Sequence, residues 1–257
     1  MVMAGRSGSL VESTTESNEG LVAAIDGPPS SGRARRRTLT EQAIERLRRN
    51  ILTGAYPPDT HLQEIPVAAE LEMSRTPVRE ALAALSAEGL LEHARKRGYT
   101  VRRFSLREVI EAYSVRATLE GMAARILAER GIDDETHASL AKLLGEVDAL
   151  LSSRRLTAAG RDPWRKANIR FHNLLHQTVD NRFLTNSLGL VQNIPMVSNA
   201  IIQWYDYETV QRYHDDHHAI LEAIVAREST RAEARMREHI HQACRFVTQR
   251  LDESGSL

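Results

Sequence analysis

Apolar residues recur at helical spacing along most of the chain from residue 38 to residue 253, and this pattern constrains the fold more than any other feature. One stretch departs from it. In LLEHARKRGYTVRRF, residues 90–104, two short segments flanked by apolar residues meet at Lys96-Arg97-Gly98. A turn between two such segments predicts a β-hairpin. The sequence therefore predicts a mainly α-helical protein with one hairpin.

Three short helices are predicted before the hairpin. The first opens at the capping sequence TLTE (38–41) and ends at Gly54. The second opens near Glu64 with Pro66 in its first turn, where the missing N–H costs nothing. The third follows Ser74, which is a good N-cap residue. Three helices followed by a hairpin predict a winged helix-turn-helix.

The rest of the chain predicts about six further helices and a division into three parts. The helical pattern beyond residue 105 is broken near 131–134, 155–163, 181–183, 205–209 and 228–231. Residues 1–37 are rich in Ser, Thr, Gly and Glu and end in a basic cluster, so we expect a disordered N-terminal arm there. We expect the winged helix-turn-helix to span 38–104 and an all-helical domain to span 105–253.

Composition excludes several classes of protein. The 34 basic residues are balanced by 34 acidic residues, so any role in binding nucleic acid must depend on where the basic residues lie. Cys244 is the single cysteine, which excludes a disulfide framework and a cysteine-type zinc site and suits a reducing compartment. No apolar run approaches the roughly 20 residues of a membrane span. We expect a cytoplasmic protein with no membrane partner.

The third helix has a basic stripe beside its apolar one. In EMSRTPVREALAALSAEGLL, residues 72–91, an ideal helix places Arg75, Thr76 and Arg79 together near the N-terminal end. Arginine there can bind guanine or phosphate through two parallel hydrogen bonds. Alternatively, these arginines only solvate an exposed helix.

The residues from 51 to 101 resemble a known DNA-binding domain. SRTPVREAL, followed by the EGL of residues 88–90 and a basic hairpin ending RGYTV, is similar to the DNA-binding domain of GntR-family bacterial transcriptional regulators. The resemblance implies that Arg75, Thr76 and Arg79 contact double-stranded operator DNA from the recognition helix. It also implies contacts from Arg97 and Gly98 in the wing.

The helical part resembles the FCD ligand-binding domain of the FadR-type subfamily of these regulators. Three segments support the resemblance: VRATLEGMAARILAE at 115–129, NIRFHNLL at 168–175, and DHHAILEAI with MREHI at 216–224 and 236–240. It implies an antiparallel helical bundle that binds a small effector. In metal-binding members one helix provides an oxygen ligand four residues before a histidine, and two later helices provide one histidine each. Those positions are Asn168, His172, His217 and His239.

The chemistry of these four side chains suits a divalent metal. Asn168 and His172 are four residues apart and share a helix face. Three neutral imidazoles and one oxygen ligand favour zinc, with nickel or manganese as alternatives. An asparagine oxygen brings no charge, so it is a weaker ligand than aspartate. We interpret the neighbouring His214 and His218 as solvent-facing or pocket-lining, and we do not expect His176 to be a ligand.

Arg116 is the predicted effector-binding residue. It lies in VRATLEGM, at a position that resembles one facing the effector pocket in this subfamily. Arginine and a metal on one cavity would select a small organic or sugar acid. The alternative is that Arg116 only pairs with Glu120 across one helical turn.

These inferences lead to one functional hypothesis and two alternatives. We expect a homodimeric, ligand-responsive transcriptional repressor that binds a palindromic operator and is not an enzyme. The first alternative is a metal-dependent hydrolase or lyase with an appended DNA-binding module, although neither a nucleophile motif nor H-E-x-x-H is present. The second is a DNA-architectural protein without a ligand.

Overall fold

The structure is a computed structural model that describes residues 37–94, 98–194, 196–197 and 205–253. Nine helices and three strands lie within these residues. They are α1 (Leu39–Leu52), β1 (His61–Leu62), α2 (Glu64–Leu71), α3 (Arg75–Ala87), β2 (Leu91–Ala94), β3 (Gly98–Val101), α4 (Leu106–Arg130), α5 (Asp134–Leu151), α6 (Ala158–Val179), α7 (Arg182–Gln192), α8 (Tyr207–Val225) and α9 (Ser229–Glu253). The predicted arm, except for Arg37, lies outside the described residues.

The first three helices form the predicted helix-turn-helix. The capping box is present at the start of α1, where Thr38 accepts from the backbone of Glu41 and Glu41 accepts from the backbone of Thr38. Ser74 is the N-cap of α3, as predicted, although its side chain makes no capping hydrogen bond. The apolar stripe of α3 is fully buried, including Val78 and Leu82. The opposite side of α3 is therefore free to face another molecule.

The wing is a three-stranded antiparallel sheet in the order β1-β3-β2. Strands β2 and β3 form the predicted hairpin, whose turn at 95–97 lies outside the described residues. Strand β1 was not predicted, because its two residues, His61 and Leu62, are too few to show an alternating pattern. They pair with Thr100 and Tyr99 of β3.

Gly98 occupies a position that accommodates glycine far better than other residues. Its φ is +83°, and a Cβ atom there would lie 2.7 Å from the carbonyl oxygen of Leu62. A side chain would therefore meet both an unfavourable backbone conformation and the neighbouring strand.

The other six helices form the predicted bundle around α4. This helix packs against α6, α7, α8 and α9, and its buried face includes Tyr113, Ala117 and Leu127. The hydrophobic cluster of the bundle is separate from the cluster beneath the winged helix-turn-helix. The mainly α-helical fold class is confirmed.

Two boundaries within the bundle differ from the prediction. Breaks were expected at 181–183 and 205–209 with a helix between them, but α7 already ends at Gln192. We expected a break at 155–163, but α6 begins at Ala158 and contains Pro163 in its second turn. Proline there removes one backbone donor, and the remaining turns continue the helix. No helix in the described part of the chain is both long enough and apolar enough to cross a membrane.

Candidate functional site

Three histidines from three different helices meet inside the bundle. His172 comes from α6, His217 from α8 and His239 from α9, and each is at most 3% exposed. Their candidate ligand nitrogens all lie within 4.8 Å of one another. The Nε2 atoms of His217 and His239 are 3.3 Å apart. Burying three polar rings together costs free energy unless they share a partner.

Carboxylates behind two of these histidines fix which ring nitrogen faces inward. His172 Nδ1 lies 2.5 Å from Glu120 Oε2, and His239 Nδ1 lies 3.3 Å from Asp216 Oδ2. A proton on each Nδ1 donates to its carboxylate and leaves Nε2 as a bare acceptor. His172 Nε2 is buried and has no hydrogen-bond partner among the described residues. This is the arrangement of a histidine prepared to bind a cation.

Burial favours the neutral form of two of these histidines, which is the form that a metal requires. Burial lowers the pKa of His172 from its ordinary value to about 4. Burial, together with His239 and His172, lowers the pKa of His217 well below its ordinary range. Phe171 stacks on the ring of His217 with the ring centroids 4.1 Å apart, so one face of that ring is apolar.

Glu120 connects the histidines to a buried arginine. Arg116 Nε donates to Glu120 Oε1 at 2.7 Å, and both side chains are 0% exposed. Burial alone would raise the pKa of Glu120, but His172 and Arg116 outweigh it and hold the pKa of this carboxyl well below its usual range. Arg116 stays protonated at every ordinary pH, so it is a permanent cation in contact with Glu120.

The remaining nitrogens of Arg116 differ in their surroundings. Its Nη1 donates to the backbone oxygen of Val197 at 2.8 Å. Its Nη2 is buried and has no hydrogen-bond partner among the described residues. The pairing of Arg116 with Glu120, which the sequence analysis gave as an alternative, is therefore present, and it leaves Nη2 of the guanidinium without a partner.

Two further residues of α6 lie close to this centre. Asn168 is buried one turn before His172. His176 lies one turn after it, with Nε2 3.3 Å from Glu120 Oε2. Glu120, His172 and His176 form a second group that could hold a metal. Sequence reasoning found no third ligand beside His176, because Glu120 comes from a different helix.

The predicted DNA-contacting residues of α3 are all exposed. Arg75, Thr76 and Arg79 lie in its first five residues. Arg75 pairs with Glu64 of α2 at 3.1 Å, with its side chain 65% exposed. Within the described part of the chain, Arg79 makes no ion pair. Arg97, the predicted contact of the wing, lies outside the described residues.

Comparison with known proteins identifies both the winged helix-turn-helix and the helical bundle. Residues 39–101 match the model of the bacterial regulatory proteins of the gntR family, and residues 111–242 match the FCD domain. The chain belongs to the GntR family of transcriptional regulators. Together the two matches cover the winged helix-turn-helix and most of the helical bundle, including the three histidines.

Relatives and solved structures agree with this assignment. This GntR-family regulator is 26% identical to the HTH-type transcriptional repressor GlaR of Escherichia coli, over 76% of this chain and 89% of that protein. It is 28% identical to a probable D-xylose utilization operon transcriptional repressor of Paenarthrobacter nicotinovorans, over 82% and 89%. The fold matches E. coli McbR/YncC with a TM-score of 0.68 at 22% identity, over 84% of this chain and 99% of that one.

Proposed function

We propose that this regulator is a homodimeric repressor whose binding to a palindromic operator is controlled by a small carboxylic acid held at a metal ion. The observation that supports this most directly is the buried centre itself. Three buried histidines present ring nitrogens to one point, and Nη2 of Arg116, on the neighbouring helix, has no hydrogen-bond partner among the described residues. In a bundle that served only as a scaffold, burying these polar groups would cost free energy without any functional return.

His172, His217 and His239 would hold the ion, and Asn168 would supply an oxygen from the turn before His172. The residues fit a first-row divalent cation, with zinc as the first candidate and nickel and manganese as alternatives. The fit rests on His172 Nε2, which is buried and has no hydrogen-bond partner in the part of the chain that the structure describes. A metal held by neutral ligands supplies an undiminished positive charge and open coordination positions.

The electrostatics of the centre favour an anionic ligand. Arg116 and Glu120 cancel each other, and the carboxylate of Asp216 behind His239 offsets only part of the double charge of the ion. A carboxylate can occupy the open positions and accept a hydrogen bond from Nη2 of Arg116. Since Nε and one N–H of Nη1 are already engaged, we expect Nη2 to be the main donor to the carboxylate.

A contact path joins this centre to the winged helix-turn-helix. The backbone oxygen of Val197, in the segment that follows α7, accepts a hydrogen bond from Arg116. At the start of the same segment, Asn193 Nδ2 donates to Glu88 Oε2 at 2.9 Å. Glu88 is the C-cap residue of α3 and pairs with Arg48 of α1 at 2.6 Å. We propose that a ligand which moves Arg116 changes the position of α3 through this segment.

Exposed apolar residues support the proposed dimer. Val115 and Met122 of α4 are 50% and 44% exposed, and Phe183 and Leu190 of α7 are 70% and 56% exposed. Each pair is seven residues apart and so shares one helix face. A second copy of this chain would cover these faces and place two recognition helices on the two half-sites of a palindrome.

Light scattering of wild-type protein and Phe183→Glu tests the interface. The variant should be monomeric, and a variant that remains dimeric would reject the proposed interface.

The metal and the acid are tested together. Untagged protein is stripped with a chelator, reloaded with zinc and analysed for bound metal after dialysis. We expect tightly held zinc that is lost in His217→Ala and kept in His137→Ala, whose histidine is exposed on α5.

A thermal-shift screen of small carboxylates, with and without zinc, then tests the ligand. A carboxylate should raise the melting temperature only of zinc-loaded protein, since binding to the native state stabilises it. Equal shifts without zinc would contradict the proposal.

A further inference from the structure

A third cluster of candidate metal ligands lies on the outside of the bundle, apart from the two buried groups. His214 and His218 are one turn apart on α8, and Asp148 faces them from α5. Neither Asp148 nor the two histidines belong to the buried centre. The side chains of Asp148 and His218 are 56% and 46% exposed, whereas that of His214 is 1% exposed.

The three ligand atoms are nearly equidistant. His214 Nε2 lies 2.8 Å from Asp148 Oδ1, His218 Nε2 lies 3.2 Å from the same oxygen, and the two nitrogens are 3.2 Å apart. Ligands about 2.1 Å from a tetrahedral ion are separated from one another by about 3.4 Å. These atoms therefore outline one face of a metal-coordination tetrahedron.

Hydrogen bonds alone do not satisfy all three contacts. If both Nε2 atoms carry protons and donate to Asp148, the two N–H groups of His214 and His218 confront each other at 3.2 Å. If His218 donates to His214 instead, a bare nitrogen of His214 faces the carboxylate oxygen at 2.8 Å, which is repulsive. A cation between the three atoms would accept an electron pair from each of them and so allow the three to lie close together.

We infer that Asp148, His214 and His218 form a second, solvent-open binding site for a late first-row divalent cation such as zinc or nickel. Two imidazoles and one carboxylate are suitable ligands, and water can complete the coordination shell. Because two of the three side chains are exposed, the ion can enter and leave without opening the core. The bound ion would join α5 to α8, the helix that provides His217 to the buried centre.

Zinc titration tests this site independently of the buried one. Calorimetry is performed on untagged, metal-free wild-type protein and on His218→Ala, Asp148→Asn and His137→Ala. We expect a weaker binding event in wild-type protein that is lost, or weakened at least tenfold, in His218→Ala and Asp148→Asn. It should be unchanged in His137→Ala, which removes an exposed histidine from α5. His217→Ala should lose only the tighter event, so failure of the buried centre leaves the weaker event in place.

Two results would overturn the inference. One is a wild-type titration in which no event responds to either His218→Ala or Asp148→Asn. The other is an equal loss in His137→Ala, which would mean that zinc binds to surface histidines without a specific site. If His218→Ala does not fold, Asp148→Asn decides alone, because it keeps the shape of the side chain while replacing the charged carboxylate by a neutral amide.

Discussion

Replacing Glu120 by glutamine should destabilise the helical bundle far more than an equivalent change at the surface. Glu120 accepts from Arg116 Nε at 2.7 Å and from His172 Nδ1 at 2.5 Å, and neither Glu120 nor Arg116 is exposed. Glutamine keeps the shape of the side chain but removes its charge. The positive charge of Arg116 then remains buried without compensation.

The expected magnitude follows from that burial. Removing one partner of a buried ion pair costs about 3–5 kcal/mol. Glutamine retains an acceptor oxygen for Arg116, so we expect the lower end, about 3 kcal/mol. In a chain of this length each kcal/mol shifts the melting temperature by roughly 2–4 °C, which gives a fall of about 6–12 °C.

The same helix offers a matched control. Arg107 Nε pairs with Glu111 Oε1 at 2.7 Å with the same spacing of four residues, but these side chains are 88% and 59% exposed. Solvent screens that pair, so Glu111→Gln should leave the melting temperature nearly unchanged. Differential scanning calorimetry in a chelating buffer separates the effect from metal binding.

The double variant Arg116→Met with Glu120→Gln tests the cause. It leaves no buried charge, so it should recover part of the loss caused by Glu120→Gln alone. The reasoning would be refuted by equal shifts for Glu120→Gln and Glu111→Gln. It would also be refuted by a double variant that is less stable than either single variant, because the loss would then come from packing rather than from an unpaired charge.

Three further predictions concern DNA binding, the wing and coupling. Arg79→Ala should lose about 1–3 kcal/mol of affinity for an operator selected from random duplexes, whereas Arg235→Ala on α9 should lose none; equal affinities in anisotropy titrations would reject the assignment. Gly98→Ala should lower the unfolding free energy by at least about 1 kcal/mol more than Gly54→Ala does. Both glycines have a positive φ, but of these two only Gly98 lies against the backbone of a neighbouring strand. Equal losses of unfolding free energy in urea titrations would contradict this. Asn193→Ala should keep ligand affinity by calorimetry but reduce the effect of ligand on operator binding, and an undiminished effect would exclude the proposed contact path.

Elements whose own residues show a pattern were predictable from the sequence. Helix α1 has its capping box and α3 has its apolar stripe, so local signals identify both. Strand β1 forms only because β3 offers it a partner, and the two residues His61 and Leu62 show no pattern by themselves. The apolar pattern is interrupted near 155–163, yet α6 begins at Ala158 and continues through Pro163, because one lost hydrogen bond does not end the helix.

The histidines of the buried centre could be proposed from the sequence only through the family resemblance. Spacing along one helix relates Asn168 to His172, but no local rule brings His217 and His239 to the same point. The carboxylates that contact these histidines were harder still to predict from the sequence. Glu120 was recognised as a partner of Arg116, one turn away, but its contact with His172 joins residues 52 positions apart.

The central claim is that a small acid bound at the metal centre controls operator affinity. The most direct measurement is operator affinity of the zinc-loaded protein, by fluorescence anisotropy, with and without a carboxylate found in the thermal-shift screen. The account predicts that saturating carboxylate changes the operator Kd by at least about fivefold. The change should disappear in His217→Ala, which loses the ion. A carboxylate that binds at the centre with the expected dependence on His217, yet leaves operator affinity unchanged, would contradict the account.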